Sequence, residues 1–240
     1  MALALNKGLL LVAIMVAALT ARLGVWQLDR AAQKEQLQQA VQSQAALPLL
    51  TADELPCTRA DGAAPPHRRA MLRGQWLAEQ SIYLDNRPMN GRTGFYLVTP
   101  LKLADGTAVL VQRGWLPRDA ADRTHVAPPP AASGTVTLQG RIAPALARLY
   151  EFDAAASGVI RQNLVIDAYA QEAALPLRPW ALVQDNSPDT PPDGLLRQWP
   201  GPDSGLHKNY GYAFQWFSLC ALTFLLYAWF QFIRPRRRAV

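Results

Sequence analysis

From Asn209 to Ile233 the chain runs for 25 residues without one charged side chain. As a helix that run reaches about 37 Å, against the roughly 30 Å of a bilayer's hydrocarbon core, so it predicts a membrane span. Lys208 closes it on one side and Arg234, Arg236, Arg237 and Arg238 on the other. Clustered arginine beside a span marks the cytoplasmic face, which places the C-terminus in the cytoplasm. Tyr210, Tyr212, Phe214, Trp216 and Phe217 crowd the first turns. By position alone they read as an aromatic belt at the outer interface, so any sharper role has to come from other residues.

A second apolar run lies near the other end. Leu3 to Ala21 is apolar apart from Asn6 and Lys7, enough for a span if Lys7 snorkels. A signal peptide is the competing reading, since a basic residue before a short apolar core fits that too. An uncleaved anchor is preferred. No small-x-small site precedes a natural mature start, and Arg22, Gly24, Trp26 and Gln27 run straight into a polar, helix-favouring stretch. Two spans put both ends on one side, and the intervening chain faces the other compartment, which in a bacterium is the periplasm.

The 24 basic and 18 acidic residues give a net charge of +6. Four of the arginines sit in the C-terminal tail, however, and Arg22 to Lys208 holds 19 basic against 18 acidic side chains. A near-neutral body lacks the basic stripe that phosphate backbones demand, which excludes nucleic acid as a partner. Of the two cysteines, Cys220 falls within the predicted span and Cys57 outside it. They are therefore read as one buried apolar residue and one loop thiol rather than a disulfide.

Between the spans the pattern turns to short strands. Arg69–Gly74, Ser81–Asp85, Gly94–Leu101, Thr107–Trp115, Thr135–Arg141, Val159–Ile166 and Ala181–Gln184 are the candidates. Ala104-Asp105-Gly106 reads as a hairpin loop, and Asp85-Asn86-Arg87-Pro88 as a turn that ends its strand. Pro128-Pro129-Pro130 marks a loop, a short helix is expected over Asp167–Ala174, and Ser187–Gly194 reads as a proline-rich connector. The expected fold is an α+β membrane protein: two transmembrane helices flanking a small antiparallel β-rich domain, barrel- or sandwich-like. Its parts are residues 1–22, a first span with a short cytoplasmic N-terminus, and 23–47, a membrane-proximal helical extension. Residues 48–206 form the periplasmic β domain, 207–233 the second span, and 234–240 a basic cytoplasmic tail.

Motifs for catalysis are missing. His67, His125 and His207 are scattered, without metal-ligand spacing, and there is no nucleophile elbow or phosphate loop. Asp85 with Arg87, and Arg113 in an apolar strand, could make a functional polar cluster, although a buried structural pair or turn cap is the simpler reading. Arg30 and Lys34 share a helix face near the membrane surface, either solvated or contacting lipid phosphate or a partner. The chain is not expected to be an enzyme.

Several rare residues recur in a recognisable order. Leu23-Gly24-Val25-Trp26-Gln27-Leu28-Asp29-Arg30 leaves the first span, followed by Gly74-Gln75-Trp76 and Leu84-Asp85-Asn86-Arg87. Next come Gly94-Phe95-Tyr96-Leu97-Val98-Thr99-Pro100-Leu101, Val109-Leu110-Val111-Gln112-Arg113-Gly114-Trp115 and Arg161-Gln162-Asn163. Tyr212-Ala213-Phe214-Gln215-Trp216-Phe217 ends the series. This resembles the surfeit locus protein one family, also called the Shy family, of cytochrome c oxidase assembly factors, in its bacterial form. The resemblance implies a multi-pass protein of the inner (cell) membrane with both termini cytoplasmic and the central domain periplasmic. It implies partnership with the oxidase catalytic subunit, with the haem a synthesis enzyme as a further partner, and a lipid bilayer around the spans. The activity it implies is transient binding of haem a and its delivery to that subunit.

The family commonly places a histidine three residues before the tyrosine of the second span, as a proposed haem ligand, and here that position is Asn209. Imidazole is a usual axial ligand of haem iron and an amide is not. His207 is the nearest imidazole, but two residues apart on a helix means about 200°, so it shares a face with Tyr210 and Phe214 instead. An unwound start near Pro202 and Gly205 would let His207 swing round as the iron ligand; otherwise it is a solvated interfacial histidine. For bound haem, Tyr212, Gln215 and Trp216 would supply a flat apolar wall and polar handles beside Asn209. The alternative carried with this is a scaffold that stabilises an oxidase assembly intermediate without touching haem.

Overall fold

No proline stands between Lys7 and Ala45, and in the computed structural model this stretch is one unbroken helix, α1 (Lys7–Ala45). Described residues are 7–118, 126, 134–150, 158–187, 193–199 and 205–233. Residues 1–6, His125, the Pro128–Pro130 loop, most of the Ser187–Gly194 connector, residues 200–204 and the basic tail lie outside them. The chain divides into two units, one formed by the two terminal segments, up to Ala40 and from Gly201, and one by Val41–Pro200.

The central unit contains β1 (Arg69–Trp76), β2 (Ile82–Met89), β3 (Arg92–Leu103) and β4 (Ala108–Pro117). After these come β5 (Thr135–Ala143), β6 (Ile160–Arg161), α2 (Ile166–Glu172) and β7 (Leu177–Gln184). Strands are ordered β1-β5-β7-β4-β3, and β1 pairs back onto β3 through Gly74–Leu103 and Trp76–Leu101. Five strands therefore close into a barrel, which removes free edges. β2 and β6 extend the sheet outward from β3, and the β4–β7 and β2–β6 pairs are parallel.

One core takes side chains from all five barrel strands: Leu72, Leu101, Val109, Val111, Leu138, Ile142, Trp180 and Leu182. A second joins β2, β3 and β4 to α2 through Leu84, Tyr96, Val98, Leu110, Trp115, Ile166 and Tyr169. Trp115 and Trp180 are each 1% exposed. Both indoles donate to main-chain carbonyls at 2.8 Å, Trp115 to Arg87 and Trp180 to Pro56, so neither polar atom is left unpaired. β4 is buried on both faces over its first eight residues, where apolar Val109, Leu110 and Val111 stand consecutively.

Two local expectations change. Asp85-Asn86-Arg87-Pro88 does not end a strand: β2 continues through it, with a register shift between Leu84 and Arg87 and Asn86 at φ +60°. Asparagine tolerates that left-handed position, so the turn chemistry makes a bulge rather than a reversal. The reversal comes four residues on, at Asn90-Gly91, both with positive φ (51° and 73°) between β2 and β3. Asn-Gly is the strongest two-residue hairpin signal. The strand expected over Val159–Ile166 shrinks to Ile160–Arg161 because α2 already begins at Ile166.

In the terminal unit α1 is joined by α3 (Leu206–Ala228), which ends in a π-helical turn, Trp229–Ile233. Both helices are long and apolar enough to cross a membrane. The chain is thus an α+β membrane protein whose two apolar helices flank a β-barrel domain in sequence.

Candidate functional site

Where α1 meets α3, the buried residues of α1 are small and regularly spaced: Ala17, Thr20, Gly24 and Ala31. Ala17, Gly24 and Ala31 repeat every seven residues, and Thr20, Gln27 and Lys34 do the same between them. That is the a/d spacing of a left-handed helix pair, with small residues in the membrane-level part, where packing rather than hydrophobicity holds helices together. The contacts run antiparallel. The Cys220 thiol donates to the Ala17 carbonyl at 3.4 Å, the Phe217 ring fills the space beside Gly24, and Asn209 sits between Gln27 and Lys34.

The seam changes from apolar to polar as α3 begins. Lys34 Nζ donates to Asn209 Oδ1 at 2.7 Å, Asn209 Nδ2 donates to Gln27 Oε1 at 2.8 Å, and the Tyr210 hydroxyl donates to Glu35 at 2.9 Å. Beside this network lies an open cleft of about 800 Å³. Trp26, Gln27, Arg30, Gln33, Lys34 and Leu37 line it from α1, and Gly205, Lys208, Asn209 and Tyr212 from the start of α3. Arg30 lies 6.0 Å from the centroid of the Trp26 ring and donates to Gln33 at 3.1 Å. Three cations and two aromatic rings face a common space whose lining holds no carboxylate.

Of the residues the sequence singled out, Asn209 and Tyr212 belong to this lining. His207, Gln215 and Trp216 do not. α3 is already helical at Leu206, so the chain does not unwind at His207, which is exposed about 200° round the helix from Asn209. Gln215 is exposed and Trp216 half-buried. Gln27 and Lys208 were missed, and for Gln27 the seven-residue repeat on α1 is the signal that would have found it. Arg30 and Lys34 do share a face, and it is the cleft's.

Of the side chains that ligate haem iron, imidazole, thiolate and thioether are absent from the lining, and the Tyr212 phenol is the one such group it holds. The one amide at the expected ligand position, Asn209, has both of its polar atoms engaged within the seam. Among the described residues no group of three histidine, cysteine or carboxylate side chains is placed to hold a metal ion.

The second polar grouping anticipated from sequence does not assemble. Asp85 pairs with Arg118 rather than Arg87, while Arg87 donates to the Gln162 carbonyl at 2.7 Å and lies 5.7 Å from the Tyr96 ring. Arg113 stacks over Trp76 at 4.7 Å and faces Asp193 at 3.6 Å, an aspartate that Arg197 also holds. Burial pushes the Arg113 guanidinium down and Asp193 opposes it, as for a structural ion pair in a wall.

Comparison with known proteins agrees with the motif series. A SURF1-like protein of Rickettsia felis is 33% identical over 95 residues, 39% of this chain and 39% of that protein. A SURF1-like protein of Dictyostelium discoideum is 42% identical over 48 residues, 20% of this chain and 18% of its own length. That of Monosiga brevicollis is 26% identical over 238 residues, 92% of this chain and 86% of its own. The chain thus spans well under half of the first two relatives in these alignments and most of the third. The model of the SURF1 family matches residues 14–221, from within α1 to within α3, and the chain belongs to that family.

Proposed function

We propose that this protein is an assembly factor for cytochrome c oxidase, acting on the oxidase catalytic subunit from the inner membrane of a bacterium. In this reading both termini are cytoplasmic, the β-barrel domain is periplasmic, and the protein is a binding partner rather than an enzyme. The observation that carries it is family membership over residues 14–221, which takes in both helices and the barrel together.

Two ways of assisting assembly divide at the start of α3. In the first, haem a is a cargo held there and passed to the catalytic subunit, with Trp26 and Tyr212 offering ring faces. In the second, the chain steadies an assembly intermediate and holds no haem. The cleft supplies no imidazole, thiolate or thioether, Asn209 is hydrogen-bonded to α1, and His207 lies outside the lining, which favours the second over a mode that ligates iron through histidine.

Co-expression with the haem a synthesis enzymes separates them. A purified protein with a haem absorption spectrum, lost on Tyr212→Ala, supports cargo. A colourless protein that still retrieves the catalytic subunit supports the scaffold. Failure to retrieve that subunit in either state overturns the assembly role.

A further inference from the structure

Assembly work leaves the charge of the cleft unexplained. Arg30, Lys34 and Lys208 line it together, and none of them makes an ion pair with another described residue. Lys34 gives one hydrogen bond to Asn209 and Arg30 one to Gln33. An ammonium carries three donors and a guanidinium five, so most remain to be used. Glu35, the acidic neighbour of Lys34, is engaged by Tyr210. Unpaired cations converging on one space are complementary to an anion with several acceptor oxygens.

The position of the cleft narrows the choice. On α1 the apolar run ends at Ala21 and the lining starts at Trp26; at α3 the lining passes from Gly205 and Lys208, just before the uncharged run, to Asn209 and Tyr212 in its first turn. The space therefore opens at the level where acyl chains give way to headgroups. Just beyond it, two turns along the same helix faces from Trp26 and Tyr212, Leu19 and Leu219 are exposed. A free anion has no use for those apolar faces, whereas the tails of a lipid cover them.

We propose that the cleft binds the phosphate of an anionic phospholipid, held by Arg30 and Lys34 from α1 and Lys208 from α3, with its acyl chains against the apolar helix faces. Because the cations come from both helices, the headgroup clasps them together at their polar end. Arginine and lysine are the side chains that bind phosphate oxygens through charge-assisted hydrogen bonds. The proposal rests on the charge and place of the cleft, independently of the oxidase reading.

The test uses the full chain made in cells lacking haem a, delipidated in detergent and offered equal amounts of phosphatidylglycerol and phosphatidylcholine. Bound lipid is read by native mass spectrometry. The expected result is retention of phosphatidylglycerol over phosphatidylcholine by about tenfold, falling to near parity in the doubly substituted Arg30→Gln, Lys208→Gln protein. Both substitutions leave the Lys34–Asn209–Gln27 network in place. Arg30→Lys, which keeps the charge, retains the preference. No preference in the unsubstituted protein overturns the proposal, and that comparison stands even if the double variant fails to fold. An unchanged preference in a folded double variant overturns it too. So does displacement of the lipid by excess inorganic phosphate, which would make the cleft a free-anion site.

Discussion

The ring of Phe217 in α3 occupies the space that Gly24 leaves on α1: a Cβ built on Gly24 would lie 2.8 Å from the ring. Phe217 is 39% exposed, so its ring has room to move aside for a single methyl group, but not for a branched side chain without parting the helices. Gly24→Ala is therefore expected to cost little, and Gly24→Leu about 1–2 kcal/mol of helix pairing. An Ala17→Cys substitution in a Cys57→Ser background reads this directly. Its new thiol faces Cys220 across the seam. Oxidative cross-linking should be efficient with the native glycine or with Gly24→Ala, and fall several-fold with Gly24→Leu. Equal cross-linking in all three proteins would mean that the packing does not hold the pair together.

Asn209 ties α3 to two residues of α1 and should matter for that reason even if no cofactor ever meets it. Asn209→Ala leaves Lys34 and Gln27 without their partner and is expected to lower stability by about 1–2 kcal/mol. His207→Ala, on an exposed face, should change it by less than about 0.5 kcal/mol. Thermal unfolding of both variants in one detergent measures the contrast, and a larger effect at His207 would reverse that ranking.

Within the barrel unit, Arg178 is 2% exposed and reaches the Ala52 carbonyl at 2.6 Å, Thr107 at 3.0 Å and Asp105 at 2.8 Å. Arg178→Met orphans the carbonyls it satisfies and is expected to cost about 3 kcal/mol in urea unfolding of the domain.

Asp105 gives the same cluster a pH dependence. Burial pushes its carboxyl up, but hydrogen bonds from the Thr107 hydroxyl and amide and from Arg178 outweigh burial and hold it below the usual carboxylate value. A carboxylate with a depressed folded-state pKa stabilises fully above its unfolded value, and the stabilisation is lost as pH falls through the folded one. Stability should therefore fall on acidification below about pH 4, and more gently in Asp105→Asn, which has no proton to take up there. A parallel acid limb in the variant would assign the loss to other groups.

At Asn90-Gly91 both residues of the hairpin hold positive φ, Gly91 at 73° with open space where a Cβ would go. Gly91→Ala adds a Cβ with nothing within 4 Å, so its cost is conformational, about 1–2 kcal/mol. Gly91→Asn, tolerant of the same region, should cost clearly less. Chemical denaturation of the two variants distinguishes backbone strain from lost contacts.

Much of this organisation is a local property of the chain. Span length, the charge closing each span, the two-residue period of β1 and the β-branched and aromatic content of β3 and β4 depend only on neighbours in sequence. The helices, the β-rich body and the Asp105-Gly106 hairpin were therefore legible, and the rare residues from Trp26 to Phe217 pointed to the family. Asn90-Gly91 carried an equally local signal that was overlooked, while Asp85-Asn86-Arg87-Pro88 misled because turn residues also make bulges and only the partner strand β3 decides between them.

Tertiary structure alone decided the rest. The return of β1 onto β3, which turns a sheet into a barrel, is a pairing between Gly74 and Leu103 that no sequence window contains. The cleft likewise depends on residues about 175 positions apart: Lys34 and Asn209 become neighbours only because α3 runs back along the small-residue seam of α1. Span-forming propensity is written along one helix at a time, whereas a binding site is a coincidence of two helices in register, and that register is set by packing.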